Sequence, residues 1–347
     1  MSKKVGIIKS PKYLLHCSRE DKIEKPERLF EVYKYLENNT KGLTFYEPEI
    51  VSEEQLKQVH SSFYINQVKQ YSEQGGEHNY DKDTYINQHT YNVARLAAGG
   101  CIKLADKILE GEIDKGFALV RPPGHHAEAG RAMGFCIFNN IAITASHLID
   151  KYGLERILIV DFDAHHGNGT QEIFYDNPKV LTLSIHQNDI FPLTGKGKDV
   201  GINEEEGFNI NIPVHPYFED EEFSYIFGKI IQQVAETYLP QIILVAAGYD
   251  AHIDDNVSKL KITSEGYANI TKFLSYFADK YSDGKLLYVL EGGYNIEALS
   301  SSLISTIETL KTQVLQPPGF MFSERANKII QTEIPDMIKK KWCSENI

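Results

Sequence analysis

Asp163 and His165 stand two residues apart just after an apolar run that ends in Asp161. Alternate residues of an extended chain point the same way, so this pair presents one carboxylate and one imidazole to a single ion. Asp250 follows a second apolar run and offers another carboxylate. One imidazole and two carboxylates suit zinc, with ferrous iron as the alternative, and three protein ligands leave a position open for water and substrate. His125 and His126 are adjacent in Arg121-Pro-Pro-Gly-His-His126, a turn ill suited to burying two imidazoles as core packing. Imidazoles titrate near neutral pH and carry protons. Asp161 and Asn168 flank the Asp-x-His pair and are candidate partners to fix their tautomers. Tyr294 lies in Gly-Gly-Tyr-Asn295, where glycines let the backbone turn sharply and bring a phenol to a developing oxyanion. Taken singly, each pattern is more often structural than catalytic: an isolated Asp-x-His is commonly a hydrogen-bond network, and a His-His pair a surface turn.

What changes the weight is where these segments fall. Candidate strands cover residues 5–8, 43–46, 117–120, 156–161, 180–185, 208–212, 242–247 and 286–290. Most are rich in Val, Ile and Leu without polar alternation, the pattern of strands buried on both faces of a parallel sheet. Between them lie helical patterns at 26–36, 91–109, 140–152, 220–238, 264–281 and 296–312. This alternation predicts one doubly wound α/β domain over residues 1–347, with a core of about 5–314 and a helical tail at 315–347 in which one further helix covers 323–338. Ligands of open α/β sheets bind at the carboxyl ends of the strands. The segments starting at Arg121, Asp161, Gly248 and Glu291 each directly follow a candidate strand, so all four converge on one sheet edge.

The composition is that of an ordinary globular domain, 42% hydrophobic and 24% charged, with a net charge of −12 that argues against a nucleic-acid partner. No apolar run reaches the ~20 residues of a membrane span, and the start of the chain lacks the apolar stretch of a signal peptide. Cys17, Cys101, Cys136 and Cys343 are far apart, which points to a reduced, cytoplasmic protein without a disulfide framework. The loop at 187–207 carries four glycines; its Gly195–Gly201 stretch lacks P-loop and dinucleotide spacings and reads as a mobile surface loop.

Five segments carry a resemblance: RPPGHHA at 121–127, GFCIFNN at 134–140, DFDAHHGNGTQ at 161–171, AAGYDAH at 246–252 and LEGGYN at 290–295. In content and order they resemble the histone deacetylase superfamily, which includes acetylpolyamine amidohydrolases and acetoin-utilisation proteins; the likeness covers roughly residues 5–314. It implies the arginase-deacetylase fold, an eight-stranded parallel sheet with helices on both faces. It implies Asp163, His165 and Asp250 as zinc ligands, His125 and His126 as tandem catalytic histidines paired with Asp161 and Asn168, and Tyr294 as the oxyanion donor. The asparagine at 168, where many members have aspartate, looks like the class II pattern. By the same resemblance Gly134, Phe135 and Phe191 line a substrate tunnel, Asp83 is the acidic rim residue, and Arg28 lies below the metal at the acetate exit. Potassium would sit at Asp161, Asp163, His165 and Ser184, with a second monovalent site at main-chain carbonyls near Phe174, Asn177 and Val180.

The implied activity is hydrolysis of an acyl group from an amine, most simply Nε-acetyl-lysine of a peptide or protein, with a small acylated amine such as an acetylpolyamine as the alternative substrate. Two departures bear on substrate choice. Lys22-Ile-Glu24 replaces the usual His-Pro-Glu, and Val257 occupies the position that is a gatekeeper glutamate in polyamine-preferring relatives. Leu193 also stands where glycine is common. Rival readings are a two-metal ureohydrolase, which needs an Asp-x-Asp run that this chain lacks after residue 247, and a catalytically silent acyl-lysine binding module, which the full ligand set and Tyr294 oppose.

Overall fold

The computed structural model describes residues 3–202 and 206–343. Part of the 187–207 loop, residues 203–205, and both chain ends, residues 1–2 and 344–347, lie outside the described residues. The strands are β1 (Val5–Ile8), β2 (Leu43–Tyr46), β3 (Glu77–Asn79), β4 (Tyr85–Asn87), β5 (Lys115–Ala118), β6 (Ile157–Asp161), β7 (Val180–Gln187), β8 (Asn209–Val214), β9 (Ile242–Ala247) and β10 (Leu286–Leu290). Eight of them form one sheet in the order β2-β1-β5-β10-β9-β6-β7-β8, with every pairing parallel. The apolar runs of β6, β9 and β10 are buried throughout, as strands covered on both faces must be. Each fully buried Ile, Leu or Val side chain adds roughly 1.5–3 kcal/mol, and this packing carries the polar loops at the sheet edge.

The strand order places those loops. β5, β10, β9 and β6 are consecutive neighbours across the middle of the sheet, so the segments that leave their carboxyl ends meet in one place. Helix Asn140–Tyr152 starts at an Asn139 cap, whose side chain accepts from the Ala142 N–H, and stops at Gly153 in the left-handed region. Asn295 of the last motif caps helix Ile296–Leu310 in the same way. The helical pattern at 220–238 forms one run, Asp220–Ile226 and Gln232–Tyr238 joined by a π-helical turn at Phe227–Ile231.

Three expectations are corrected. The β3–β4 hairpin is an addition to the expected strands, because runs of three residues are too short to carry a periodic signal; its turn holds Asp83, which lines one cavity with Gly134 and Phe191. The single helix expected at 323–338 is two, Glu324–Glu333 and Asp336–Trp342, broken at Pro335, which has no N–H to continue the first. Ile329, Ile330, Ile334, Ile338 and Trp342 of this pair are buried against the core. The 195–201 glycine stretch is not a loose surface loop: a Cβ on Gly197 would lie 1.8 Å from the Glu333 carbonyl oxygen, and one on Gly195 2.5 Å from the His166 ring. Among the described residues no helix is long and apolar enough to cross a membrane.

Candidate active site

Asp163, His165 and Asp250 converge, with one ligand atom from each lying within 4.8 Å of the other two. His165 Nδ1 is 2.8 Å from Asp250 Oδ2 and 3.2 Å from Asp163 Oδ1. Backbone amides fix both carboxylates: Gly292 N–H donates to Asp163 Oδ2 at 2.9 Å, and Ala164 N–H to Asp250 Oδ1 at 2.8 Å. Position 292 admits only glycine, since a Cβ there would come within 2.6 Å of both carboxylates. Burial, then the neighbouring Asp163, pushes the Asp250 carboxyl up to about 7. Burial pulls the His165 imidazole down, but Asp250 and Asp163 outweigh it and raise it to about 10. Two buried carboxylates facing one imidazole is a donor set that fits a borderline divalent ion, whose binding displaces the shared proton.

The tandem histidines stand beside this set with ring centroids 3.9 Å apart. His125 Nδ1 lies 2.9 Å from Asp161 Oδ2, and His126 Nδ1 2.8 Å from Asn168 Oδ1. The Asn168 amide nitrogen donates to Glu128 Oε1 at 2.8 Å, so its oxygen must face His126. His126 therefore carries its proton on Nδ1 and leaves Nε2 as an acceptor. The two rings have opposite electrostatics. Burial disfavours charge on His125, but the Asp163 and Asp161 carboxylates win and raise it to about 10. Burial, reinforced by His125 and His165, holds His126 well below its ordinary value. The surroundings thus bias His125 toward the cation and His126 toward the neutral form, and asparagine rather than aspartate at 168 adds no charge to His126.

Tyr294 faces the same space. Its ring lies 5.4 Å from Phe135 and has the Arg28 guanidinium 4.9 Å from its centroid. Burial raises the phenol well above its usual range, so it stays protonated and can donate. Phe191 packs edge-on to His126 at 5.1 Å, and a side chain at Gly134 would strike both rings, so Gly134 and Phe191 lie against His126 while Phe135 lies against Tyr294. A cavity of about 370 Å³ opens there, lined by Asp83, Tyr80, Arg131, Met133, Gly134 and Phe191. Leu193 adopts a left-handed φ of 66°, which explains why glycine suits that position. Arg28 is buried against the Tyr294 ring, and three of its five N–H donors are held by the protein: Nε on the Gly293 carbonyl at 2.6 Å, Nη2 on the Glu291 carbonyl at 2.5 Å and Nη1 on Glu24 at 3.0 Å. Asp161 and Ser184 pair in register across β6 and β7 and line a cavity of about 10 Å³. Phe174, Asn177 and Val180 form one chain of turns, with the Asn177 N–H on the Phe174 carbonyl and the Val180 N–H on the Asn177 carbonyl.

Four residues escaped the sequence reading. Glu24 is buried between Arg28 and Arg121. Glu291 Oε2 accepts from the Gly124 and His125 amides at 2.7 and 3.1 Å, which fixes the histidine turn. Asp255 Oδ2 accepts from the Tyr294 and Asn295 amides at 2.6 and 3.0 Å. Thr84 Oγ1 accepts from the Phe135 amide at 3.0 Å. Only Glu291 carried a signal, a charge opening a strand-end motif after five apolar residues.

Residues 22–310 match the Histone deacetylase domain family. The chain belongs to the histone deacetylase family. A probable deacetylase of Archaeoglobus fulgidus is 39% identical over 84% of this chain and 82% of its own length. The human Polyamine deacetylase HDAC10 is 37% identical over 86% of this chain but 46% of its own. The chain thus spans about half the length of longer plant and human relatives that it matches. The crystal structure of the HDA15 HD domain superimposes with a TM-score of 0.90 at 32% identity, covering 98% of this chain and 97% of that one. The fold is therefore the arginase-deacetylase fold, and this histone deacetylase family member is a hydrolase of the deacetylase class.

Proposed function

We propose that the protein is a zinc-dependent amidohydrolase that removes the acetyl group from Nε-acetyl-lysine. The observation that carries this reading is the meeting, beside an opening lined by Phe191, of an Asp-His-Asp set with both carboxylates buried, an imidazole whose Nδ1 is held by Asn168, and the Tyr294 phenol. Asp163, His165 and Asp250 hold the ion, which when bound supplies Lewis-acid polarisation of the acyl carbonyl and acidifies adjacent water. Phe135 and Phe191 flank the aliphatic stem. Tyr294 donates to the carbonyl oxygen as negative charge develops there. His126 Nε2 takes a proton from the attacking water. His125, biased toward the cation by Asp163 and Asp161, stabilises that charge and protonates the departing amine. Potassium beside Asp161, Asp163, His165 and Ser184, and a second monovalent ion at the carbonyls of Phe174, Asn177 and Val180, belong to the same reading.

The alternative substrate is an acetylated polyamine, which the name of the human relative and the exposed carboxylates of Asp81 and Asp83 at the rim favour. The uncharged Val257 favours lysine. Zinc-loaded protein should be assayed on an acetyl-lysine peptide, an acetylated polyamine and a long-chain acyl-lysine peptide, with Asp250→Ala as the blank. The reading expects turnover by the wild type alone, fastest on the acetyl-lysine peptide. Fastest turnover of the polyamine replaces the substrate, and no turnover with one zinc bound overturns the activity.

A further inference from the structure

Beneath the tandem histidines lies a second cluster of metal-ligating groups that the proposed reaction does not use as ligands. His125, Cys136 and Glu291 are all buried, and one donor atom from each lies within 4.8 Å of the other two. One of them, Glu291, holds an atom without other work. Glu291 spends Oε2 on the Gly124 and His125 amides, but its Oε1 is buried with no hydrogen-bond partner. Cys136 is a fully buried free thiol; its backbone is tied to Met133 through paired hydrogen bonds at 2.9 and 3.2 Å, which fixes where the thiol starts. A buried carboxylate oxygen normally finds a donor, and leaving one bare costs ~1–3 kcal/mol, so an unpaired Oε1 beside a thiol and an imidazole requires a reason.

We infer that His125, Cys136 and Glu291 form a second, inhibitory metal site that takes zinc when the ion is in excess. Thiolate, imidazole and carboxylate are the donors zinc prefers, at ~2.0–2.3 Å from the ion, so the three atoms need close by only ~1 Å to share it. The ion enters as Zn2+, the Cys136 thiol and the His125 imidazolium each give up one proton to solvent, and no redox step is involved. The fourth position is left to water. The consequence for turnover is direct. An imidazole nitrogen bound to a second ion cannot carry a proton, and His125 is withdrawn from the leaving amine. The first site shares none of these ligands, so it remains filled. The inhibitory effect rests on the reaction proposed above; the site itself does not.

The test separates the two. Full-length protein is dialysed against rising free Zn2+ and its metal counted by elemental analysis, and a parallel titration with Co2+ is followed by near-ultraviolet absorption. The Asp-His-Asp site has no sulfur ligand, so only the second ion produces a thiolate-to-cobalt charge-transfer band. Wild type should rise from one to two ions per chain, show the band with the second equivalent, and lose at least tenfold in deacylation rate over the same range. Cys136→Ser should keep one ion, show no band and resist excess zinc. Cys136→Ala serves if the serine variant does not fold, and the wild-type band decides the matter without either. Saturation at one ion per chain, a second ion bound without the band, or equal inhibition of the Cys136 variants would overturn the inference. Absence of turnover with a band present would refute the proposed reaction and leave the site standing.

Discussion

Replacing Glu24 with glutamine tests whether the floor of the site is held by a buried charge cluster. Arg121 donates to Glu24 through Nε at 2.5 Å and Nη2 at 2.7 Å, and Arg28 through Nη1 at 3.0 Å; all three side chains are fully buried. Burial works to raise the Glu24 carboxyl, but Arg121 and then Arg28 outweigh it and hold it at about 2. Against an unfolded value of about 4.3, and at about 1.4 kcal/mol per pH unit, the charged form contributes about 3 kcal/mol at neutral pH. Removing the charge also strands two guanidinium groups, the situation in which a broken buried pair costs ~3–5 kcal/mol. Urea unfolding at pH 7 should therefore find Glu24→Gln about 3–5 kcal/mol less stable than wild type. The pH dependence has a definite sign. A depressed carboxyl stabilises the fold fully above its unfolded value and loses that contribution as pH falls toward 2, so the gap between the two proteins should be constant from pH 7 to about 5 and narrow below it. Turnover should fall as well, because Arg28 also carries the Gly293 and Glu291 carbonyls under Tyr294. A gap under about 1 kcal/mol, or one that does not narrow in acid, refutes the reasoning.

Three further outcomes follow from the same geometry. Tyr294→Phe removes one oxyanion donor and should lower kcat about 100-fold with little change in KM, read by steady-state kinetics; near-wild-type turnover removes the phenol from the reaction. Asp250→Ala should leave less than stoichiometric zinc by elemental analysis, and full zinc in that variant would refute the ligand assignment. Asn168→Asp puts a negative charge on His126 and raises an imidazole that burial now holds low. A base must be neutral to act, so the acidic limb of kcat/KM should move to higher pH, and an unmoved limb would show that His126 is not the base.

The sheet was legible because buried parallel strands are written as short apolar runs, and the active site because its residues follow four of those runs at fixed offsets. Boundaries moved by a few residues at β5, β7 and β8, where pairing with a neighbour decides where a strand ends. What could not be read is what depends on contacts between distant positions. Glu24 meets Arg121 across 97 positions, and Asp255 supports Tyr294 from a neighbouring strand end. Nothing local distinguishes Glu24 from an exposed glutamate near Lys22 and Lys25. The break at Pro335 was legible in principle, since proline removes a helical donor, but the apolar positions on either side kept the same face and masked it.

The contact between Gly197 and the Glu333 carbonyl ties the last helices to the opening beside the tandem histidines. The segment that begins at Phe191 is clamped twice, by the His186 hydrogen bond to the Gly195 carbonyl and by the last two helices behind Gly197. The opening lined by Phe191 is thus braced by the helix that ends at Glu333. On the proposed reading, substitutions in the helix that ends at Glu333 should change which acyl groups are turned over while leaving every reacting group in place, a steering linkage remote from the chemistry it controls.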